Sequence, residues 1–254
     1  VNATLDALVR SIAPLDEAAM AAARARQDIL TKPPGALGRL EGLSIQLAGI
    51  YGEPTPNPGP GAIVVAAADH GVARRGVSAY PPEVTGQMVL NFLAGGAAVN
   101  VLARQAGAHV VVVDAGVASE LPAHPSLRMQ ARMRGSGDIS VGPAMTRATA
   151  EALLLDGAAL ARELAADGAS MIGIGDMGIG NTTPSAAITA TFTGLQPQAV
   201  TGRGTGVSDE RLREKVLRVA EALAINHPDP TDAVGVLAGV GGLEIGFLAG
   251  VCLG

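Results

Sequence analysis

Four short apolar runs constrain this chain more than any other feature. They are AIVVAAAD (Ala62–Asp69), HVVVVDAG (His109–Gly116), SMIGIGD (Ser170–Asp176) and AVGVLAGVGG (Ala233–Gly242), each ending in glycine or aspartate. Unbroken apolar runs of this length suit strands buried on both faces of a parallel sheet. Between them lie helical patterns at Pro82–Ala106, Thr146–Asp167, Thr183–Thr191 and Asp209–Ile225. Strand followed by helix, repeated, predicts an α/β fold with a parallel sheet. Ligands of such sheets bind outside the carboxyl ends of the strands. The site is therefore expected at Asp69-His70-Gly71, Asp114-Ala115-Gly116, the run after Gly173 and Gly239–Gly242.

The N-terminal part reads differently. Ala3–Leu30 is helical with an interruption at Pro14, KPPGALGRLE (Lys32–Glu41) is a turn, and Leu40–Ile50 is a second short helix. Consecutive prolines exclude helix in that turn. The proline-rich GEPTPNPGPG (Gly52–Gly61) then marks the best boundary in the chain. Residues 1–60 are expected to form a helical arm with its connector, and residues 61–254 the α/β domain.

Charge and composition remove several function classes. The net charge of −5 argues against a nucleic-acid partner, which needs clustered Lys and Arg. Two tyrosines and three phenylalanines are too few for a base-stacking platform. A lone cysteine, Cys252, permits neither an internal disulfide nor a cysteine-rich zinc site. The first ten residues, VNATLDALVR, have no basic flank or long apolar stretch, so a reduced, cytoplasmic setting is expected. Ala233–Gly254 is long and apolar enough to suggest a membrane span. Glu244 in its middle and Gly239, Gly241 and Gly242 make strand, turn and helix the better expectation.

The strongest local signal is GIGDMGIGNTTPSAA (Gly173–Ala187). An apolar strand enters a glycine-rich turn, and Asn181-Thr182-Thr183-Pro184 opens a helix, with Thr or Asn capping and proline in the first turn. Bare N–H groups at a helix start make an anion site that a phosphate can approach closely; the alternative is a tight turn that binds nothing. Gly173-x-Gly175-x-x-Gly178 matches the dinucleotide fingerprint, yet no Asp or Glu occurs between Asp176 and Asp209. No G-x-x-x-x-G-K-[ST] motif is present either, so a mononucleotide or sugar phosphate fits better than NAD or ATP. TGRGTGVSDE (Thr201–Glu210) precedes a helix capped by Ser208 or Asp209, and Arg203 or Lys215 would neutralise the phosphate. His70 has no metal-ligand spacing to His109, His124 or His227, and a structural, hydrogen-bonded role suits it better than catalysis. Tyr80, Gln87 and Met88 suit the wall of a pocket for a flat heterocycle, or ordinary helix packing.

Taken together, KPPGALGRLE, AADHGVARRGVSAYPPEVTGQMVLNFLAGGAAVNVLARQAGA, VVVDAGV, GIGDMGIGNTTPSAAI, TGRGTG and GVGGLEI resemble one family. It is the nicotinate-nucleotide–dimethylbenzimidazole phosphoribosyltransferases, and the resemblance runs from about Thr31 to the last residue. It implies a Rossmann-like α/β fold, a three-layer parallel sheet with helices on both faces plus a small helical N-terminal subdomain, usually in a homodimer. The implied reaction moves phosphoribosyl from nicotinate mononucleotide to 5,6-dimethylbenzimidazole with inversion, using no cofactor and no metal. The resemblance also implies that Asp176, Gly178, Gly180, Asn181, Thr182, Thr183, Gly202, Gly204 and Lys215 hold phosphate and ribose. Tyr80, Gln87 and Met88 would line the base slot.

Two departures qualify this. The family usually has a glutamate where this chain has Asp176. Its general base is a glutamate in an Arg-Leu-Gly-Glu-Gly segment that does not occur in these 254 residues. The catalytic base is therefore unassigned, with Asp176, Glu83 and Glu244 as candidate stand-ins, and the chain reads as lacking the family's C-terminal segment. Little or no turnover is expected of it. The competing readings are a non-catalytic nucleotide-binding form and, on the glycine match alone, an NAD-dependent dehydrogenase.

Overall fold

The computed structural model describes Thr4–Gly254. The chain divides into two compact units, one made of Asp6–Gly59 and the other essentially of Pro60–Gly254. The smaller is helical: α1 (Leu5–Arg10), α2 (Glu17–Ile29) and α3 (Arg39–Tyr51). Asp16 caps α2 by accepting from the Ala19 N–H, and Gln27 of α2 donates to Ser44 of α3. Lys32 and Glu41 pair at 2.8 Å across the proline turn.

The larger unit is built on β1 (Gly61–Ala68), β2 (His109–Gly116), β3 (Leu127–Met129) and β4 (Met171–Met177). They form one sheet in the order β3-β2-β1-β4, parallel throughout. A 3-10 turn (Gly71–Arg75) follows β1, then α4 (Val84–Leu93) and α5 (Ala98–Ala106) lead to β2. Beyond β3 comes α6 (Arg147–Ala166). After β4 come α7 (Thr182–Thr193), α8 (Pro197–Val200), α9 (Asp209–Asn226), α10 (Ala233–Val240) and α11 (Leu243–Leu253).

The central strands explain their own composition. Successive side chains of a strand point to opposite faces. Ala62, Val64, Ala66 and Ala68 of β1 join Val113 and Ala115 of β2 in a core shared with α6, α7, α9, α10 and α11. Val65 and Ala67, with Val112, enter a second core against Val89 and Phe92 of α4. Both faces are covered, so no position in β1 favours a polar residue. Small side chains matter behind the sheet, where α6 and α11 meet backbone to backbone. A Cβ on Gly157 would overlap the Phe247 carbonyl, and one on Gly250 would overlap that of Leu154.

The structure corrects three expectations. Ala233–Gly242 is not a strand: Ala233–Val240 is α10, capped by Asp232, which accepts from the Gly235 N–H. Val236, Leu237, Ala238 and Val240 are buried in the helical layer, and a helix apolar all round has the same sequence signature as a buried strand. Pro82–Ala106 is two helices, broken where Gly95 takes φ +74°. That stretch has the length and hydropathy of a membrane span, but Val89, Phe92 and Ala97 within it pack into the second core. The three-residue β3 has no counterpart among the expected strands.

Candidate functional site

The carboxyl ends of β1, β2 and β4 gather the charged residues of this lightly charged chain. Their aspartates divide the work. Asp114 Oδ1 accepts the N–H groups of Gly116 and Val117, and Asp69 Oδ2 accepts that of Ala118 at 2.8 Å. These two carboxylates hold the loop after β2. His70 is directed inward instead, with Nε2 2.9 Å from Glu244 Oε1, and neither side chain reaches solvent appreciably. A cavity of about 760 Å³ opens beside them, lined by Asp69, His70, Arg74, Glu83, Arg134 and Ser136 among others.

The glycine turn after β4 lies directly against this pair. A Cβ on Gly178 would sit 2.5 Å from the Ala68 carbonyl and 2.9 Å from His70 Nε2, so only glycine lets the turn approach β1. Gly180 has φ +89°, the left-handed region that glycine enters without strain. The Ile179 N–H donates to the buried hydroxyl of Thr85, tying the turn to α4. Asn181 occupies the N-cap position of α7 but makes no capping bond; its amide donates to Asp176. Burial, and then the nearby Glu244 carboxylate, push the Asp176 carboxyl above its ordinary range.

Lys215 of α9 completes this region. Its ammonium donates to Thr182 Oγ1 at 2.5 Å and to the Gly202 carbonyl at 3.1 Å. A Cβ on Gly204 would lie 3.0 Å from Lys215 Nζ and 2.9 Å from Thr182 Oγ1. The lysine is fully buried and pairs with no carboxylate among the described residues, and burial lowers its pKa. Thr183, next to Thr182, is also fully buried, and its hydroxyl has no partner among the described residues. A buried cation with only neutral acceptors at a helix start is an arrangement that an anion would complete. The competing cation, Arg203, is already committed: it pairs with Asp209 and donates to the Val207 carbonyl.

Thr182, Gly202, Gly204 and Lys215 are thus in mutual contact, while Asp176, Gly178, Gly180, Asn181 and Thr183 form the adjoining turn. Tyr80 is exposed and belongs to a turn fastened to the same loop. Ser78 meets the Thr205 hydroxyl at 3.2 Å, and Arg211 donates to the Ser78 carbonyl. Gln87 is exposed on α4, whereas Met88 packs against the second core. None of Tyr80, Gln87 and Met88 lines the 760 Å³ cavity.

The dinucleotide match fails on position. Gly173 and Gly175 lie inside β4, not in the turn that follows it, where a pyrophosphate would need them.

The family model described as phosphoribosyltransferase matches residues 12–254. A nicotinate-nucleotide–dimethylbenzimidazole phosphoribosyltransferase from Roseiflexus sp. (strain RS-1) is 57% identical over 250 residues. The match covers 98% of this chain and 71% of that protein. The chain belongs to this phosphoribosyltransferase family. A second family member, from Deinococcus radiodurans, is 54% identical over 258 residues, covering 99% of this chain and 70% of its own length. The crystal structure of CobT from Thermus thermophilus superposes with a TM-score of 0.88 at 52% identity, over 92% of this chain and 70% of that one. The α/β architecture is therefore the fold of this phosphoribosyltransferase family. Against it, the pairing of His70 with Glu244 is the feature that sequence reasoning missed. The partners stand 174 positions apart, and only the isolated charge of Glu244 in an apolar helix signalled it.

Proposed function

We propose that this chain binds nicotinate mononucleotide and transfers its phosphoribosyl group to 5,6-dimethylbenzimidazole, giving α-ribazole 5′-phosphate and nicotinate. The observation that carries the reading is the buried, unpaired Lys215 ammonium bonded to Thr182 at the start of α7. A phosphate there gives the cation its counter-charge. In the reaction a benzimidazole nitrogen attacks C1′ from the face opposite the leaving ring. The C1′–N bond breaks with its electron pair passing to the pyridinium nitrogen, which leaves neutral, and the benzimidazole N–H proton passes to a base. Departure needs no acid, so the protein's tasks are anchoring, alignment and proton acceptance. Lys215, Thr182 and the Gly202–Gly204 loop anchor the phosphate, with the Gly178–Thr183 turn beneath the ribose. Tyr80, Gln87 and Met88 are the residues assigned to the benzimidazole slot, the Tyr80 ring offering an apolar face and the Gln87 amide a polar contact.

The reading extends to a cytoplasmic homodimer acting on small molecules, without membrane or nucleic-acid partners. The net charge of −5 supports the absence of a nucleic-acid partner and the single free cysteine a reduced setting, and light scattering tests the dimer. The transfer is tested under single-turnover conditions, with excess protein, nicotinate mononucleotide and dimethylbenzimidazole. Slow release of nicotinate that depends on the benzimidazole, one per α-ribazole phosphate formed, is the expected result, slow because no residue of the chain is assigned as the base. Release indifferent to the benzimidazole contradicts a transferase.

A further inference from the structure

The pair at the centre of the site has no part in the transfer just described, yet two glycines are shaped around it. A Cβ on Gly178 would lie 2.9 Å from His70 Nε2, and one on Gly242 would lie 2.6 Å from His70 Cε1 and 3.0 Å from Glu244 Oε2. The imidazole is thus held between the glycine turn after β4 and the turn that opens α11. Its one side-chain hydrogen bond among the described residues goes to Glu244 at 2.9 Å, and the second carboxylate oxygen of Glu244 is buried without a partner.

We infer that His70 and Glu244 act as an imidazolium–carboxylate pair that positions the Gly178–Thr183 turn for the nucleotide, a role that rests on that turn being the nucleotide site. A buried carboxylate with one oxygen unsatisfied is strongly stabilised by a full positive charge beside it. Burial opposes the charge on His70, but Glu244 foremost, then Asp69 at the end of β1 and Asp176 at the end of β4, outweigh it and raise its pKa. The loop bridged to His70 at Ser136 brings no free carboxylate, since Asp138 is engaged by Arg75 and Ser140. Arg74 and Arg134 share the cavity wall. The ring reaches the nucleotide turn directly, because the Gly178 backbone packs against its Nε2 edge. Asp176 accepts from the Asn181 amide at the start of α7, one residue from the threonine that touches Lys215. His70 and Glu244 are therefore positioning residues, acting on the nucleotide through the Gly178 turn that packs on the imidazole.

The experiment follows the His70 ring by NMR titration of the full chain, assigned with His70→Gln. It also measures nicotinate mononucleotide affinity for wild type, Glu244→Gln and His70→Gln at about pH 5.5 and about pH 7.5, on either side of the ordinary imidazole value. Ionisation of the nucleotide's phosphate cancels when each variant is divided by wild type. Wild-type His70 is expected to titrate above 6.5, and Glu244→Gln to move that titration down. Glu244→Gln should bind about tenfold more weakly than wild type at the higher pH, the worth of about one pKa unit of coupling. At the lower pH, where its imidazole is protonated again, the deficit should close, while His70→Gln stays weak at both. A deficit independent of pH in Glu244→Gln, or a wild-type imidazole already neutral at pH 7, overturns the inference. If Glu244→Gln does not fold, the wild-type ring titration and His70→Gln still decide it. A wild type that binds no nucleotide refutes the functional reading instead, and the ring titration then reports separately on the pair.

Discussion

Lys215 is the residue on which binding and stability pull in opposite directions. Its buried ammonium has two neutral acceptors and no counter-charge, so in the free protein it costs stability. Its pKa is lowered, so the unfolded chain binds the proton more tightly. The penalty is full at neutral pH and fades as pH rises toward the ordinary value of 10.5. Lys215→Met is accordingly expected to raise the melting temperature of the free protein slightly while weakening nucleotide binding by about 1.5–3 kcal/mol, the worth of a charge-assisted hydrogen bond. Calorimetric melts and titrations of the same samples measure both. A second residue-scale prediction concerns Gly178, where a methyl group would meet the Ala68 carbonyl at 2.5 Å. Gly178→Ala should displace the turn and lower nucleotide affinity at little cost to the sheet, seen as a weakened titration with unchanged circular dichroism.

Among the elements, the contact between α6 and α11 depends on glycine. Gly157→Val would drive a side chain into the Phe247 carbonyl, which has no free rotamer to move aside. It should cost about 3 kcal/mol or more in urea unfolding, at the upper end for an overpacked core. Replacing Gly142, whose surroundings are open, should cost far less. Elements also differ in how clearly the sequence announces them. Ala62–Asp69 and His109–Gly116 were legible because strands buried on both faces are apolar without interruption. Ala233–Val240 carries the same signature for another reason, burial inside a helical layer, and its cap at Asp232 was the only local clue. β3 has three residues, too few for any periodicity to show. In the site, Thr182 and Lys215 stood out as a helix opening and a scarce cation. The His70–Glu244 bond did not, because the fold alone brings its partners together.

At the scale of the whole molecule, the buried charges make stability depend on pH in a definite direction. His70 has a raised pKa, so its contribution is complete below 6.5 and is lost as pH rises through the folded-state value. Asp176 is raised as well, so it acts in the same sense from a lower starting point. The His70 contribution should therefore shrink as pH rises above 6.5, while the Lys215 penalty fades at higher pH. The urea midpoint of wild type should accordingly fall more, or rise less, with pH than that of His70→Gln. A steeper fall in the variant would reverse the sign. The sheet positions the two halves of the phosphate site, the turn after β4 and the loop before α9, around an uncompensated cation, and that is the central claim. Isothermal titration of nicotinate mononucleotide into wild type and Lys215→Met at about pH 7 tests it most directly. One nucleotide per chain in wild type, with binding reduced at least about tenfold in the variant, is the predicted result. Equal affinity in the two proteins would contradict it.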